Sequence, residues 1–411
     1  MHITRRKFLK GGVSLAISAA PLFSMAVRAA ELQPRQAGDS KILVVVQLAG
    51  GNDGLNTVVP YGFGQYYQQR PNLAIKQKDV LALNNMIGLH PSMTGMHDLF
   101  KAGHLALALG VGYPNPNRSH FRSIEIWQTG EPEKISNTGW IGRYLDNTWQ
   151  KSDTLSRRLF PAINVDPMLP KSLASDRVLV PSVADVNQFK FNTDAHYQLD
   201  RQNQIETFNR IYSAFDLDRP SAQLLKDVGL DAMQASDYLL SVVKNYKSTV
   251  TYPDNGFGRS LKFIAQMITA GVDARVYNLS LGGFDTHSNQ LGAQAGLLKQ
   301  FSDSVAAFQK DLAQHGAEKD VILLAFTEFG RRVAENNGRG TDHGTAEPVF
   351  IVGAPVKGGI YGEYPSLSNL DQGDLKYGLD FRSIYATLIE GWLGGDSNKI
   401  LNGKFERMRF V

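Results

Sequence analysis

The sequence predicts an α/β fold: a mostly parallel sheet covered by helices on both faces, with one helical insertion. Three observations carry this reading. Residues 321–326 (VILLAF) are apolar throughout, and 41–48 (KILVVVQL) and 104–111 (HLALALGV) are nearly so, as strands buried on both faces require. Helical patterns alternate with these runs, the mark of crossover connections between parallel strands. Polar, glycine-bearing loops follow the strands, and open α/β sheets bind ligands beyond the carboxyl ends of their strands.

The chain opens on a segment to be set apart. Residues 4–10 (TRRKFLK) are basic, residues 11–27 are weakly apolar, and Ala29 and Ala30 are small, which together predict an export leader over 1–30. Arg5-Arg6 followed by Phe8-Leu9-Lys10 resembles a twin-arginine signal. The expected partner is therefore the twin-arginine translocation machinery, and the expected location periplasmic or otherwise extracytoplasmic. An uncleaved anchor is the alternative, although the run is only marginally long for a bilayer. No later segment predicts a stable membrane span. The formal charge of +4 includes five basic residues and no acid within this leader, so the mature chain is close to neutral and nothing points to nucleic acid. The chain has no cysteine, which excludes thiolate-held zinc, iron–sulfur clusters and covalently attached haem.

Beyond the first strand, residues 92–101 have helical spacing and end before Gly103. Residues 104–111 form the next strand, 121–128 and 140–149 read as helices, and 161–165 as a short strand. Long polar helical patterns at 196–215 and 222–247 read as an insertion on the α/β core within a single domain, 41–411. The alternation resumes with a helix at 258–270, a strand at 275–281, a helix at 291–315, strands at 321–326 and 349–353, and a last helix at 381–392.

Four loops after these strands hold groups suited to a hard or borderline cation. In Gly51-Asn52-Asp53-Gly54, Asp53 is either a ligand or part of a turn. In Asn117-Arg118-Ser119-His120, Ser119 is either a helix cap or a nucleophile at a helix N-terminus, and His120 a ligand or general acid. Asp285 and His287, two apart after a pair of glycines, can converge on one cation, or His287 can bond the backbone. The fourth segment carries Glu328, Asp342 and His343, with Arg331 and Arg332 placed to hold an anion. His90, His97 and His104 lie in or beside a helix packed on the sheet and read as structural.

The stretches GGNDGLNTVVPY, NRSHFRSIEIWQTG, GGFDTHSNQ, TEFGRR and GTDHGTAEPVFIVG resemble the domain-of-unknown-function family 1501 (DUF1501) from residue 41 to 393. That resemblance implies an alkaline phosphatase-like three-layer α/β/α core and membership of the alkaline phosphatase and sulfatase superfamily. It implies Asp53 at a second metal, Ser119 as nucleophile, and Asp285 and His343 at the first metal, with His287 a looser match. Glu328 replaces an expected aspartate, but Phe329 stands where a coordinating histidine is expected, so the second metal site is depleted.

The expected function is an exported sulfatase-like or phosphatase-like metallohydrolase acting on a small-molecule or glycan ester. Asp285, His287 and His343 are expected to hold a divalent metal, zinc by donor type, with manganese or calcium as oxygen-rich alternatives. Asp53 and Glu328 are assigned to a weaker second ion, Ser119 to attack, and His120 and Asp342 to assistance. The alternative is a catalytically degenerate envelope scaffold that binds a glycan or protein partner.

Overall fold

A computed structural model describes residues 41–148, 159–186, 189, 193, 194, 196–213 and 220–411. The leader expected over 1–30 lies outside these residues. In chain order the principal elements are β1 (Ile42–Ala49), α1 (Thr94–Lys101), β2 (Leu105–Gly112), α2 (His120–Thr129), α3 (Trp140–Thr148) and β3 (Ala162–Asn164). There follow α4 (Gln198–Ser213), α5 (Pro220–Asn245), α6 (Gly256–Thr269), β4 (Val276–Gly282), α7 (Gln290–Gln314) and β5 (Val321–Phe326). The chain closes with β6 (Glu347–Val352), β7 (Gly359–Tyr361), β8 (Leu379–Asp380) and α8 (Phe381–Thr387), which continues into a π-helical turn, Leu388–Trp392.

The main sheet runs in the order β7-β2-β6-β5-β1-β4-β3, with β8 pairing on β2. All its pairings are parallel except those of β6, which lies antiparallel between β2 and β5. This reversal has a consequence for the site. The carboxyl ends of β1, β2, β4 and β5 and the amino end of β6 all meet at one edge. The loops holding Asp53, His120, Asp285, Glu328 and His343 therefore open on the same side.

Alternation along the strands builds two cores. From β1, Ile42, Val44, Val46 and Leu48 enter one apolar cluster while Leu43 and Val45 enter the other. From β5, Val321, Leu323 and Ala325 join the first, and Ile322, Leu324 and Phe326 the second. Met96 of α1, Leu261 and Ile264 of α6 and Phe301 and Phe308 of α7 cover the first face. Ile126 and Trp127 of α2, Trp140 and Ile141 of α3 and Ile384 and Tyr385 of α8 cover the second. The result is an α/β/α sandwich around a mostly parallel sheet. In the helical insertion, Ala235, Leu239 and Val242 of α5 pack into the first core. Among the described residues no helix is long and apolar enough to cross a membrane.

Candidate metal centre

Three imidazoles and one carboxylate converge above the sheet edge. His120 is the first residue of α2, Asp285 and His287 lie on the loop after β4, and His343 lies just before β6. An isolated backbone bridge between Arg331 and His343 draws the last of these back over the end of β5. His287 Nε2 is 2.9 Å from His343 Nε2 and 3.0 Å from Asp285 Oδ1, and His343 Nε2 is 3.2 Å from the same oxygen. His120 Nε2 approaches the other oxygen, Asp285 Oδ2, at 3.5 Å. One ligand atom each from His120, Asp285 and His343 lie within 4.8 Å of one another.

The far side of each ring explains why these nitrogens face inward. His343 Nδ1 lies 2.8 Å from the Arg118 carbonyl, which can only accept, so Nδ1 carries the proton and Nε2 presents its lone pair. His120 Nδ1 lies 2.8 Å from Glu328 Oε1, and His287 Nδ1 a longer 3.4 Å from Asp342 Oδ1. Each imidazole thus has an oxygen acceptor behind it, the arrangement that orients metal-binding histidines. Among the described residues His120 Nε2 is buried and has no hydrogen-bond partner. The three atoms with edges of 2.9, 3.0 and 3.2 Å come close to the spacing of about 3.3 Å expected between ligands of a tetrahedral zinc ion. The donor set fits a divalent cation.

Electrostatics favours the same state. Partial burial opposes ionisation of Asp285, but the hydrogen bond and charge of Arg331, with His343 and His287 alongside, outweigh it, holding the carboxyl at about 2. Burial, helped by the nearby Arg331 and His120, lowers His343 below the usual imidazole range despite its contacts with Arg118 and Asp285. A charged carboxylate beside a neutral imidazole is the ligand pair a cation needs.

The remaining predicted residues take other positions. Asp53 is buried and caps a single helical turn, Gly54–Thr57, through the Leu55 N–H. Its Oδ2 accepts from Arg70 Nη1 and Gln290 Nε2, each at 2.5 Å, so the carboxylate faces a guanidinium rather than an open site. Glu328, also buried, accepts from Gly50 N–H and His120 through Oε1 and from Thr327 through Oε2. It stands behind His120 instead of beside it. Asp342 stands likewise behind His287, further held by Asn336 Nδ2 at 3.0 Å. The two carboxylates expected at a second ion are therefore engaged elsewhere. Phe329 occupies that region, with its ring 4.9 Å from His120 and 4.6 Å from His343. Gly51, at φ +68°, makes room for it: a Cβ there would lie 2.3 Å from the ring. Ser119 is the N-cap of α2, yet its hydroxyl makes no capping hydrogen bond and is exposed.

Of the two arginines expected to hold an anion, Arg331 is buried. It donates to the carbonyls of Gly50, Gly51, Phe284 and Thr341 and to Asp285, tying three loops together. Arg332 remains partly exposed. The sequence reading missed Arg70, Gln290 and Asn336, which hold Asp53 and Asp342. Arg70 lies in a loop with no motif around it. Gln290 offered a faint signal, as a polar residue opening a helix directly after the Asp-x-His loop. A cleft of about 690 Å³ adjoins the centre, sharing Phe329 and Arg118 with it.

Known structures of similar shape include a protein of the alkaline phosphatase superfamily from Vibrio parahaemolyticus, with 10% identity and a TM-score of 0.36 over 90% of this chain and 71% of that one. The PsFucS1 sulfatase from Pseudoalteromonas sp. shows 12% identity and a TM-score of 0.36, covering 93% and 72%. The C-terminal periplasmic domain of EcEptC from Escherichia coli shows 10% identity and a TM-score of 0.38, covering 92% and 90%. These likenesses are too distant to assign a substrate or a catalytic residue. No curated protein sequence matches the chain significantly. A match to the family described as "Protein of unknown function (DUF1501)" extends over residues 40–393, and the chain belongs to that family.

Proposed function

We propose that this chain is an exported, metal-dependent hydrolase of phosphate or sulfate esters built around one divalent ion. The observation that carries the proposal is the convergence of His120, His287, His343 and Asp285, each imidazole backed by an oxygen acceptor. Three imidazoles and one carboxylate favour zinc over calcium, which prefers an all-oxygen shell. A divalent ion held here would supply the Lewis acidity that polarises an ester oxygen and acidifies a neighbouring nucleophile.

The chain's own residues supply the rest. Glu328, Asp342 and the Arg118 carbonyl fix the tautomers of the three histidines. Arg331 keeps Asp285 ionised. Ser119 presents an exposed hydroxyl where α2 begins, and the free N–H groups of a helix start favour negative charge on a nucleophile or substrate. The basic leader at 1–30 supports export by the twin-arginine route to the periplasm.

Metal analysis of protein purified from the periplasm, alongside turnover of aryl phosphates and sulfates, tests this reading. One equivalent of metal, lost in Asp285→Ala/His343→Ala, with ester hydrolysis abolished in Ser119→Ala, is the expected result. A metal-free protein that stays inert after zinc or manganese is added sinks the enzyme and leaves the degenerate scaffold, which the Phe329 ring in the depleted second site favours. Full activity in Ser119→Ala removes the nucleophile but spares the centre.

A further inference from the structure

The cleft beside the metal centre contains a charged arrangement that the histidines do not use. Its lining includes Arg118, Asp371, Gln372, Asp374, Lys376 and Tyr377. Asp374 is buried, and two guanidiniums share it: Arg118 Nη1 lies 3.3 Å from Oδ2, and Arg332 Nε lies 3.5 Å from Oδ1. A reciprocal pair of backbone bonds with Asp371, both 2.9 Å, fixes the tight turn that carries Asp374.

Neither side is satisfied. Among the described residues the buried Asp374 Oδ1 has no hydrogen-bond partner, only the Arg332 guanidinium at an ion-pair distance of 3.5 Å. The Arg118 and Arg332 side chains are 39% and 38% exposed, and among the described residues neither has a partner other than Asp374. Arg118, Arg332 and Lys376 set against Asp371 and Asp374 leave one net positive charge, and the two guanidiniums keep unspent donors, a setting that takes up carboxylate, phosphate or sulfate oxygens. A bare anion, however, would draw the guanidiniums toward itself and leave Oδ1 without a donor in a buried place, and an unsatisfied buried acceptor is costly. A neutral polyol would satisfy Oδ1 and waste the guanidiniums. One ligand chemistry serves both: a hydroxyl donor next to an anionic group.

We infer that this cleft is a subsite for a sugar unit bearing an anionic substituent. Arg118 on the cleft wall and Arg332 behind Asp374 attract the anion, and the Asp374 carboxylate accepts a neighbouring hydroxyl. The assignment of this unit to the substrate rests on the hydrolase reading above; its binding does not. Arg118 links the two places, because its side chain reaches the cleft while its carbonyl orients His343.

Calorimetric titration of the purified full chain with glucose 6-sulfate, inorganic sulfate and glucose tests the inference. Glucose 6-sulfate is expected to bind at least about tenfold tighter than either of the others. Arg332→Gln and Arg118→Gln are expected to weaken it about tenfold, and Asp374→Asn to erase its advantage over inorganic sulfate. Because Arg332 is partly exposed, its variant can be read even if Asp374→Asn folds poorly. Equal binding of glucose 6-sulfate and inorganic sulfate, or full affinity in Arg332→Gln, overturns the inference. The same titration in His343→Ala separates it from the metal reading. Retained binding supports the subsite even where no metal or turnover is found, whereas loss there places the ligand on the centre and overturns it.

Discussion

Replacing Glu328 by Gln tests whether the carboxylate acts on the metal through His120. The substitution keeps the shape: the amide oxygen can still accept from His120 Nδ1, now at 2.8 Å, and from the Gly50 N–H, now at 2.9 Å. The new amide group can donate to Thr327 Oγ1, 3.2 Å from the present Oε2. What is lost is the negative charge that raises the basicity of His120 Nε2. Removing such an outer partner typically weakens metal binding roughly ten- to a hundredfold, equivalent to about 1.4–2.7 kcal/mol. Competition between the protein and a chelator for zinc gives the affinity directly, and thermal melting in excess chelator shows that the apo fold is intact. Zinc affinity within about twofold of the parent, in a variant of unchanged apo stability, would refute the assignment of His120 as a Glu328-supported ligand. A parallel loss in Asp342→Asn is expected to be smaller, since that contact to His287 is 3.4 Å and exposed.

Three further outcomes follow from the geometry. Arg70→Met leaves Asp53 buried opposite no charge, and denaturant unfolding should register a loss of about 3–5 kcal/mol, partly recovered in the Arg70→Met/Asp53→Leu double variant. Phe329→His should still bind one equivalent of zinc by elemental analysis, because Asp53 and Glu328 remain engaged; two equivalents would show that the second site is open. Burial lowers His90 to about 4, and its Nδ1 already accepts the Ser92 N–H, so the folded state resists its protonation. With a folded pKa below the unfolded value near 6.5, His90 costs nothing above that value, and stability falls as pH drops from about 6.5 to about 4, by up to about 3 kcal/mol. The pH profile of unfolding for His90→Asn should lack that slope, so that its difference from the parent isolates it; an unchanged profile contradicts the assignment.

How much of this was legible depended on the range of the physics involved. Strands β1, β2 and β5 could be read because burial on both faces demands a nearly unbroken apolar run, a property of single segments. The direction of β6 could not be read, since a strand's own residues do not say which way the preceding loop returns it to the sheet. β7 and β8 span three and two residues, too few for any period to show. That Asp285, His287 and His343 lie close together was legible, because loops after buried parallel strands share one sheet edge. Their division of labour with Glu328, Asp342 and His120 was hidden. Whether a carboxylate binds a cation or stands behind a histidine depends on a few ångströms between residues far apart in sequence, as with His120 and Glu328, separated by 208 positions.

Asp53 shows how such a division can reverse an expectation while keeping its logic. The resemblance assigned this carboxylate to a cation, and it does meet one: the Arg70 guanidinium, at 2.5 Å. A buried carboxylate needs a nearby positive charge, and Arg70 supplies it within the protein, with Gln290 completing the shell of Oδ2. The same guanidinium donates to the carbonyls of Val333 and Arg332, so it also anchors the segment following Phe329. With Arg70 in place, a second ion would add positive charge where one is already present, and Phe329 rather than a histidine follows Glu328. The Phe329 ring can then fill the space and pack against His120 and His343, narrowing the freedom of two rings that the remaining centre depends on. If the proposed centre holds its ion, closing the second site and stiffening the first are the same structural change.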